Sequence, residues 1–274
     1  MKDTVKALLA EHGITLCAPL ALSSCRILRP YLLQRAGIEN GTAFLLAVPY
    51  YTTKCDDPAR NISAYAVSRD YHLFFADLFE KVLPLLRNAF PANRFAGFAD
   101  HSPIAEVEAA AMAGLGCIGQ NGLLLTERYA SYVFLGEIVT DAVLEVPPHT
   151  VTHCMACGAC QRACPARQTG KECLSALTQR KGTFADDEIA FLCQNGSAWG
   201  CDRCQEVCPM TKKAKADGSI YTDIAFFKED AVASLTADAV RESADEAFAL
   251  RAYSWRGRPT VLRNLEILEK GEHT

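Results

Sequence analysis

Apolar positions recur at helical spacing over residues 2–12 and stop at Gly13, which predicts an amphipathic opening helix. The segment ITLCAPL, residues 14–20, follows as a strand. A helix over residues 25–35 ends at Gly37, and TAFLLAVPYY, residues 42–51, reads as a second and more apolar strand. A polar stretch, residues 52–63, precedes a long helix predicted over residues 70–89. Beyond it the pattern gives a short strand at 94–100 and a helix opened by Ser102 and Pro103, a start signal for helices. A glycine-rich loop at 113–125 and a β-branched, aromatic strand at 131–141 complete the pattern. Alternating helices and strands make this first part α/β.

Near residue 148 the pattern breaks. Residues 149–215 lack long apolar runs and are dense in Cys, Gly, Arg and Lys, as expected of a module held by metal more than by a core. Residues 216–274 regain an apolar period near 3.6 and are expected to form a helical C-terminal segment. The division expected is therefore 1–148, 149–215 and 216–274. The chain has 274 residues, half of them apolar, and a net charge of -4, so no global field attracts a polyanion and any nucleic-acid contact must be local. Its longest apolar run, residues 42–51, falls short of the ~20 residues of a membrane-spanning helix. No membrane association and a cytoplasmic location are expected.

Nine of the thirteen cysteines fall between Cys154 and Cys208. A secreted disulfide framework would spread its bridges through a small domain, whereas this clustering points to metal. Cys154, Cys157, Cys160 and Cys164, with Pro165 after them, form the run C-x2-C-x2-C-x3-C-P of bacterial ferredoxins. Cys201, Cys204 and Cys208, followed by Pro209, repeat it with one cysteine fewer. In two-cluster ferredoxins the fourth cysteine of a run ligates the other cluster. That scheme gives Cys154, Cys157, Cys160 and Cys208 to one 4Fe–4S cluster and Cys164, Cys201 and Cys204 to a second, with Cys173 and Cys193 both open as its fourth ligand. Paired C-x2-C motifs also suit zinc, but the two C-x3-C-P endings favour clusters. Cys17, Cys25, Cys55 and Cys117 are expected to be small buried apolar side chains.

Together, residues 61–72 (NISAYAVSRDYH), 100–103 (DHSP), 113–125 (AGLGCIGQNGLLL), 134–140 (FLGEIVT), both cysteine runs, 173–182 (CLSALTQRKG) and 256–264 resemble the tRNA epoxyqueuosine reductases. These are cobalamin-dependent enzymes with two 4Fe–4S clusters. The resemblance implies an α/β (α+β) cobalamin-binding domain, a ferredoxin-like module with both clusters and a short helical tail. It selects Cys173 over Cys193 as the eighth ligand and makes Asp100 the proton donor, with a pKa raised by burial. It also places Tyr65, Arg69, Asp70, Tyr71, His72, Gly119 and Asn121 at the cobalamin.

The reaction so implied removes the epoxide oxygen of epoxyqueuosine in the tRNA anticodon loop, a reduction by two electrons and two protons. A low-potential electron donor and tRNA are the expected partners. Longer members of the family continue into a helical-repeat domain that helps hold tRNA, so a short form lacking it is expected here. Residues Arg180, Lys181, Lys212, Lys213, Lys215, Arg251, Arg256, Arg258 and Arg263 form a local basic set suited either to phosphates or to a solvated face. Two other functions remain open at this point: a cobalamin-dependent reductase of a small molecule, with chemistry like that of reductive dehalogenases, and a two-cluster electron carrier without catalysis.

Overall fold

The computed structural model describes residues 1–271, so the last three residues of the tail expected at 216–274 lie outside the described residues. The chain packs into two compact units. The first comprises residues 1–50, 72–157 and 213–224, and the second 51–71, 158–212 and 225 onward.

In the first unit the elements are α1 (Lys2–Ala10), β1 (Leu16–Ala21), α2 (Pro30–Ala36), β2 (Thr42–Pro49), α3 (Tyr71–Ala89), β3 (Phe95–Phe98), α4 (Glu106–Met112), β4 (Cys117–Ile118), β5 (Leu124–Leu125) and β6 (Val133–Thr140). A four-stranded sheet runs in the order β1-β2-β6-β3. Its pairs are all antiparallel, so despite the alternation of elements this unit is α+β and not a parallel crossover fold.

The central strands are buried along almost their whole length because helices cover both faces. On one face Ala109 of α4 joins Leu45 and Val139 in the core. On the other, α3 brings Phe75 and Phe79 down onto two strand glycines. A Cβ on Gly136 would lie 2.5 Å from Phe75 Cε1, and one on Gly97 would lie 2.5 Å from Phe79 Cγ. These positions are glycine because a helix backbone and its rings need the space.

Three local expectations shift. The helix expected from residue 25 begins only at Pro30, where the fixed φ of proline suits the first turn. The helix expected from Ser102 and Pro103 begins at Glu106, because the Ser102 hydroxyl is already engaged. Its Oγ donates to Glu137 Oε1 at 2.5 Å and accepts from the Ile104 N–H at 3.1 Å. The glycine-rich stretch is not all loop, since β4 and β5 pair as a two-residue ladder within it.

The second unit is largely helical: α5 (Ala159–Ala163), α6 (Pro165–Thr169), α7 (Leu174–Gln179), α8 (Asp186–Asn195), α9 (Arg203–Glu206), with α10 (Pro209–Ala216) leading out of it, then α11 (Ala225–Lys228), α12 (Ala237–Glu242), α13 (Asp245–Ala249) and α14 (Arg258–Gly271). Its packing groups the chain otherwise than the stretches 1–148, 149–215 and 216–274. Ile267 and Leu268 of α14 pack against a cluster of Leu174, Leu177, Phe191 and Leu192, so the tail and the cysteine-rich stretch share one core. A short module has too few apolar residues of its own, and the apolar stripe of α14 supplies the missing cover. The fully buried Asn264 ties the same helix down, its side-chain amide donating to the carbonyls of Thr178 at 2.7 Å and Ala198 at 2.8 Å.

Candidate functional site

Asp100 sits just past β3 in the left-handed region, with φ 63°. Aspartate tolerates that conformation better than most residues, but it is still a sparsely populated one, and such positions gather at functional sites. Its Oδ2 lies 3.5 Å from His72 Nε2 of α3. The side chain is 66% exposed, so partial burial raises its pKa too little to decide its state. Its hydrogen bond to His72 instead holds the carboxyl below the usual carboxylate range, with further help from Arg29 and His101. Beside it His101 Nε2 meets Tyr31 Oη at 2.6 Å.

The raised carboxyls are two that the sequence reading passed over. Glu137, in the middle of β6, is fully buried, and Glu106 opens α4. Burial pushes Glu106 up to about 7 against the opposing effect of the Asp100 N–H that it accepts. It also pushes Glu137 well above the carboxylate range, reinforced by the charge of Glu106. A visible signal existed for Glu137, a single charge within the apolar strand FLGEIVT.

In the same unit Gly119 and Asn121 form the turn between β4 and β5. The Gly119 N–H donates to Leu123 O at 2.9 Å, and Asn121 Oδ1 lies against Gly119 where a Cβ would stand. These glycine and asparagine identities are accounted for by the turn itself. His153 forms a parallel bridge with Ile118, and the Cys154 N–H donates to Ile118 O at 3.0 Å, which anchors the start of the first cysteine run to this hairpin.

Tyr65, Arg69 and Asp70 belong to the second unit. Tyr65 Oη accepts from the indole N–H of the fully buried Trp199 at 2.7 Å, so this hydroxyl supports the core. Arg69 donates to Glu229 Oε2 at 3.0 Å and lies 4.3 Å over the Phe226 ring, while its buried Nε has no hydrogen-bond partner. The Asp70 N–H donates to Leu250 O at 2.8 Å. Tyr71 is the first residue of α3, and its neighbour His72 reaches Asp100.

All thirteen cysteines are free thiols. Cys160 lies on α5, Cys164 caps α6 ahead of Pro165, Cys173 caps α7 and Cys204 lies on α9, so each of these short helices begins at or carries a thiol. Cys201 is near enough to Cys173 for the Cys173 charge to help raise its pKa, although burial is the larger cause. Cys193 is committed elsewhere. Its Sγ lies 3.7 Å from Ile267 O, against α14. Among the described residues no group of three or more Cys, His, Asp or Glu side chains is gathered as around a single ion. Thiolates around an iron–sulfur cluster stand apart at the corners of a cuboid, so they need not converge on one point.

Of the four scattered cysteines, Cys17 and Cys55 are buried, and Cys25 and Cys117 only partly so. Burial pushes the Cys17 and Cys25 thiols up to about 12, which leaves them unreactive at neutral pH.

Asp202 organises the second unit around the last run. Its carboxylate accepts from Arg60 Nη1 at 2.7 Å, Ser63 Oγ at 2.5 Å and the Ala64 N–H at 2.6 Å. An open cavity of about 440 Å³ beside Arg60 and Glu206 is lined in part by Cys201. Four of the nine residues of the basic set are spent on internal contacts. Arg180 pairs with Glu188 at 2.6 Å, Arg258 with Asp245 at 2.8 Å, Arg251 donates to Asp230 O, and Arg263 donates to Arg180 O.

No family model matches the chain. Solved structures match its fold over nearly all its length. An epoxyqueuosine reductase from Streptococcus thermophilus superposes with a TM-score of 0.78 at 22% identity, covering 100% of this chain and 82% of that one. An epoxyqueuosine reductase bound to a modified tRNA-Tyr stem loop superposes with a TM-score of 0.71 at 20% identity, covering 97% and 80%. The fold thus defines a protein of mixed α and β content that carries two cysteine runs. Among curated proteins, the epoxyqueuosine reductase of Cyclobacterium marinum is 30% identical over 223 residues, 76% of this chain and 70% of that protein. The chain belongs to the epoxyqueuosine reductase family. The enzyme of Gloeobacter violaceus is 32% identical over 209 residues, and the chain spans 65% of its length; for that of Pseudomonas aeruginosa the share is 45%.

Proposed function

We propose that this protein reduces epoxyqueuosine to queuosine in tRNA, using two 4Fe–4S clusters and cobalamin. The observation that carries the reading is the family relationship itself, which spans 70% of the Cyclobacterium enzyme. Geometry supports it at Asp100, which is left-handed, exposed and paired with His72, as a group presented to a ligand would be.

The donor chemistry fits the clusters. Reduced thiols are what iron–sulfur clusters take, and Cys173 stands near Cys201 while Cys193 is engaged by α14. Cys154, Cys157, Cys160 and Cys208 would hold one cluster, and Cys164, Cys173, Cys201 and Cys204 the other. For cobalamin the fitting observation is the unpartnered, buried Nε–H of Arg69, a donor free for an acceptor-rich ligand. Asp70, Tyr71, His72, Gly119 and Asn121 are the other residues assigned to it, and Tyr65 would act indirectly, since Trp199 occupies its hydroxyl. When bound, cobalamin supplies the difficult reductive step.

Asp100 would deliver the proton to the departing epoxide oxygen. Exposed and beside His72, its carboxyl is ionised at neutral pH; a ligand covering it removes water and raises its pKa toward what proton donation needs. His72 would hold the carboxyl in place and could return the proton. A low-potential donor is required for the electrons, and the cytoplasm is the compartment that keeps such thiols reduced.

The test is anaerobic purification with iron and cobalt quantitation, followed by turnover of epoxyqueuosine-containing tRNA by the wild type and Asp100→Asn. The variant is expected to keep both cofactors and to lose at least about a hundredfold in rate, the range of general acid catalysis. Full activity in Asp100→Asn would remove Asp100 from the mechanism. Clusters without any cobalamin binding would leave an electron carrier, and turnover of small epoxides with no salt-dependent tRNA binding would leave a small-molecule reductase.

A further inference from the structure

Arg256 closes a short helical turn, Ser254–Arg256, just before α14. Its backbone is fixed there, since its carbonyl accepts the Thr260 hydroxyl at 3.1 Å. The guanidinium lies 3.8 Å over the ring of Trp255, which answers its charge only in part. Its Nε is buried with no hydrogen-bond partner, and among the described residues no carboxylate pairs with it. A buried donor without an acceptor and a half-buried cation without a counter-charge both cost stability. Glu172, which shares a cavity with Arg256, does not meet the need. It is paired with Arg180 at 3.5 Å, and Arg180 is also bonded to Glu188 at 2.6 Å.

That cavity, about 480 Å³, has Cys173 on its wall. Its other polar side chains are engaged: the Gln179 amide turns back onto Ser175, donating to the carbonyl at 3.0 Å and to the hydroxyl at 3.1 Å. The Cys173 thiol and the Arg256 Nε–H remain without a hydrogen bond among the described residues. We infer that Arg256 is a positioning residue for the cluster that Cys173 helps to hold, its counter-charge and a hydrogen-bond donor to its sulfur, and that it raises the reduction potential of that cluster. The inference rests on the cluster reading given above and adds a residue to it.

A 4Fe–4S cluster with four thiolate ligands is anionic, and taking up an electron makes it more so. A cation and N–H donors beside it therefore favour the reduced form more than the oxidised one. Arginine suits the place, because its charge is permanent and it is more weakly hydrated than a lysine ammonium. The cluster in turn supplies what the surrounding side chains lack, an acceptor enclosed by the fold. A phosphate arriving from solvent would meet the outer edge of the guanidinium and leave the buried Nε unsatisfied.

The experiment is a redox titration followed by electron paramagnetic resonance on the anaerobic, cluster-loaded protein, with iron quantified in each variant. The signal that disappears in Cys173→Ala identifies the second cluster. In Arg256→Gln the reduction equilibrium of that cluster is expected to fall at least about tenfold, about 59 mV for one electron, while the first cluster stays within about twofold. Arg256→Lys keeps the charge without the Nε–H and is expected to fall at least about threefold, less than Arg256→Gln. It carries the test alone where Arg256→Gln fails to hold its iron. An unmoved second midpoint in either variant, or equal movement of both clusters, overturns the inference. So does a loss of tRNA affinity with the midpoint unmoved, which would make Arg256 a phosphate contact. Survival of both signals in Cys173→Ala would instead overturn the ligand set itself, and the inference with it, so the two failures are told apart.

Discussion

The imidazole of His72 and the carboxylate of Asp100 approach to 3.5 Å, joining the first turn of α3 to the turn that follows β3. This hydrogen bond is the main reason that the Asp100 carboxyl lies below its ordinary pKa in the free protein. His72→Ala is expected to move the Asp100 titration upward, as followed by carboxyl carbon NMR shifts. An Asp100 pKa that stays where it was would assign the effect to Arg29 and His101 instead.

The fourth ligand of the proposed second cluster lies between two cysteines with different surroundings. Cys173 caps α7 near Cys201, and Cys193 packs on α14. Cys173→Ala is expected to lower bound iron by roughly half, because one cluster loses a ligand while the other keeps four. Cys193→Ala should retain the full iron content. Iron analysis and the visible absorption of the two variants distinguish the assignments, and equal loss in both would return the choice to open.

Asp202 and Arg60 form a pair with side-chain exposures of 2% and 13%. Asp202→Ala leaves the guanidinium and the Ser63 and Ala64 donors without their acceptor, a loss on the order of 3 kcal/mol for breaking a buried pair from one side. Asp202→Asn keeps the shape and part of the hydrogen bonding and should lose less. Denaturant midpoints on the holo protein measure both, and a negligible loss in Asp202→Ala would show that the network is replaced by water.

Stability should depend on pH through Glu106. Its carboxyl titrates at about 7 in the folded protein against an ordinary value of 4.5. Between those values the folded chain binds more protons than the unfolded one, so unfolding free energy falls as pH rises through this window. Chemical unfolding at pH 5 and pH 8 reads the slope, and Glu106→Gln is expected to flatten it. A flat or opposite slope in the wild type would mean that Glu106 does not titrate at a raised pKa in the folded protein.

Several features were legible along the chain because they depend on neighbours in sequence. The opening helix, the apolar strands and the long helix follow from periodicity, and the ferredoxin run follows from spacing that local turns impose. Helix starts at Pro30 and Glu106 were misplaced because the signals at residues 25 and 102 compete with tertiary partners. Ser102 reads as a cap, yet its hydroxyl is taken by Glu137 from a strand thirty-five residues away.

Sequence alone determined the kind of chemistry this chain can hold: thiolates in ferredoxin spacing, and segments that resemble one reductase family. Only the tertiary structure decided which carboxyls are ionised. Asp100, chosen by resemblance and expected to be buried, stands exposed beside His72, while Glu137 is fully buried and Glu106 half-buried. It also decided that Cys193 packs on α14 and that the tail shares a core with the cysteine-rich stretch. Solvent exclusion and pairing depend on residues distant in sequence, and a protonation state is set by what surrounds a group, which no linear pattern records.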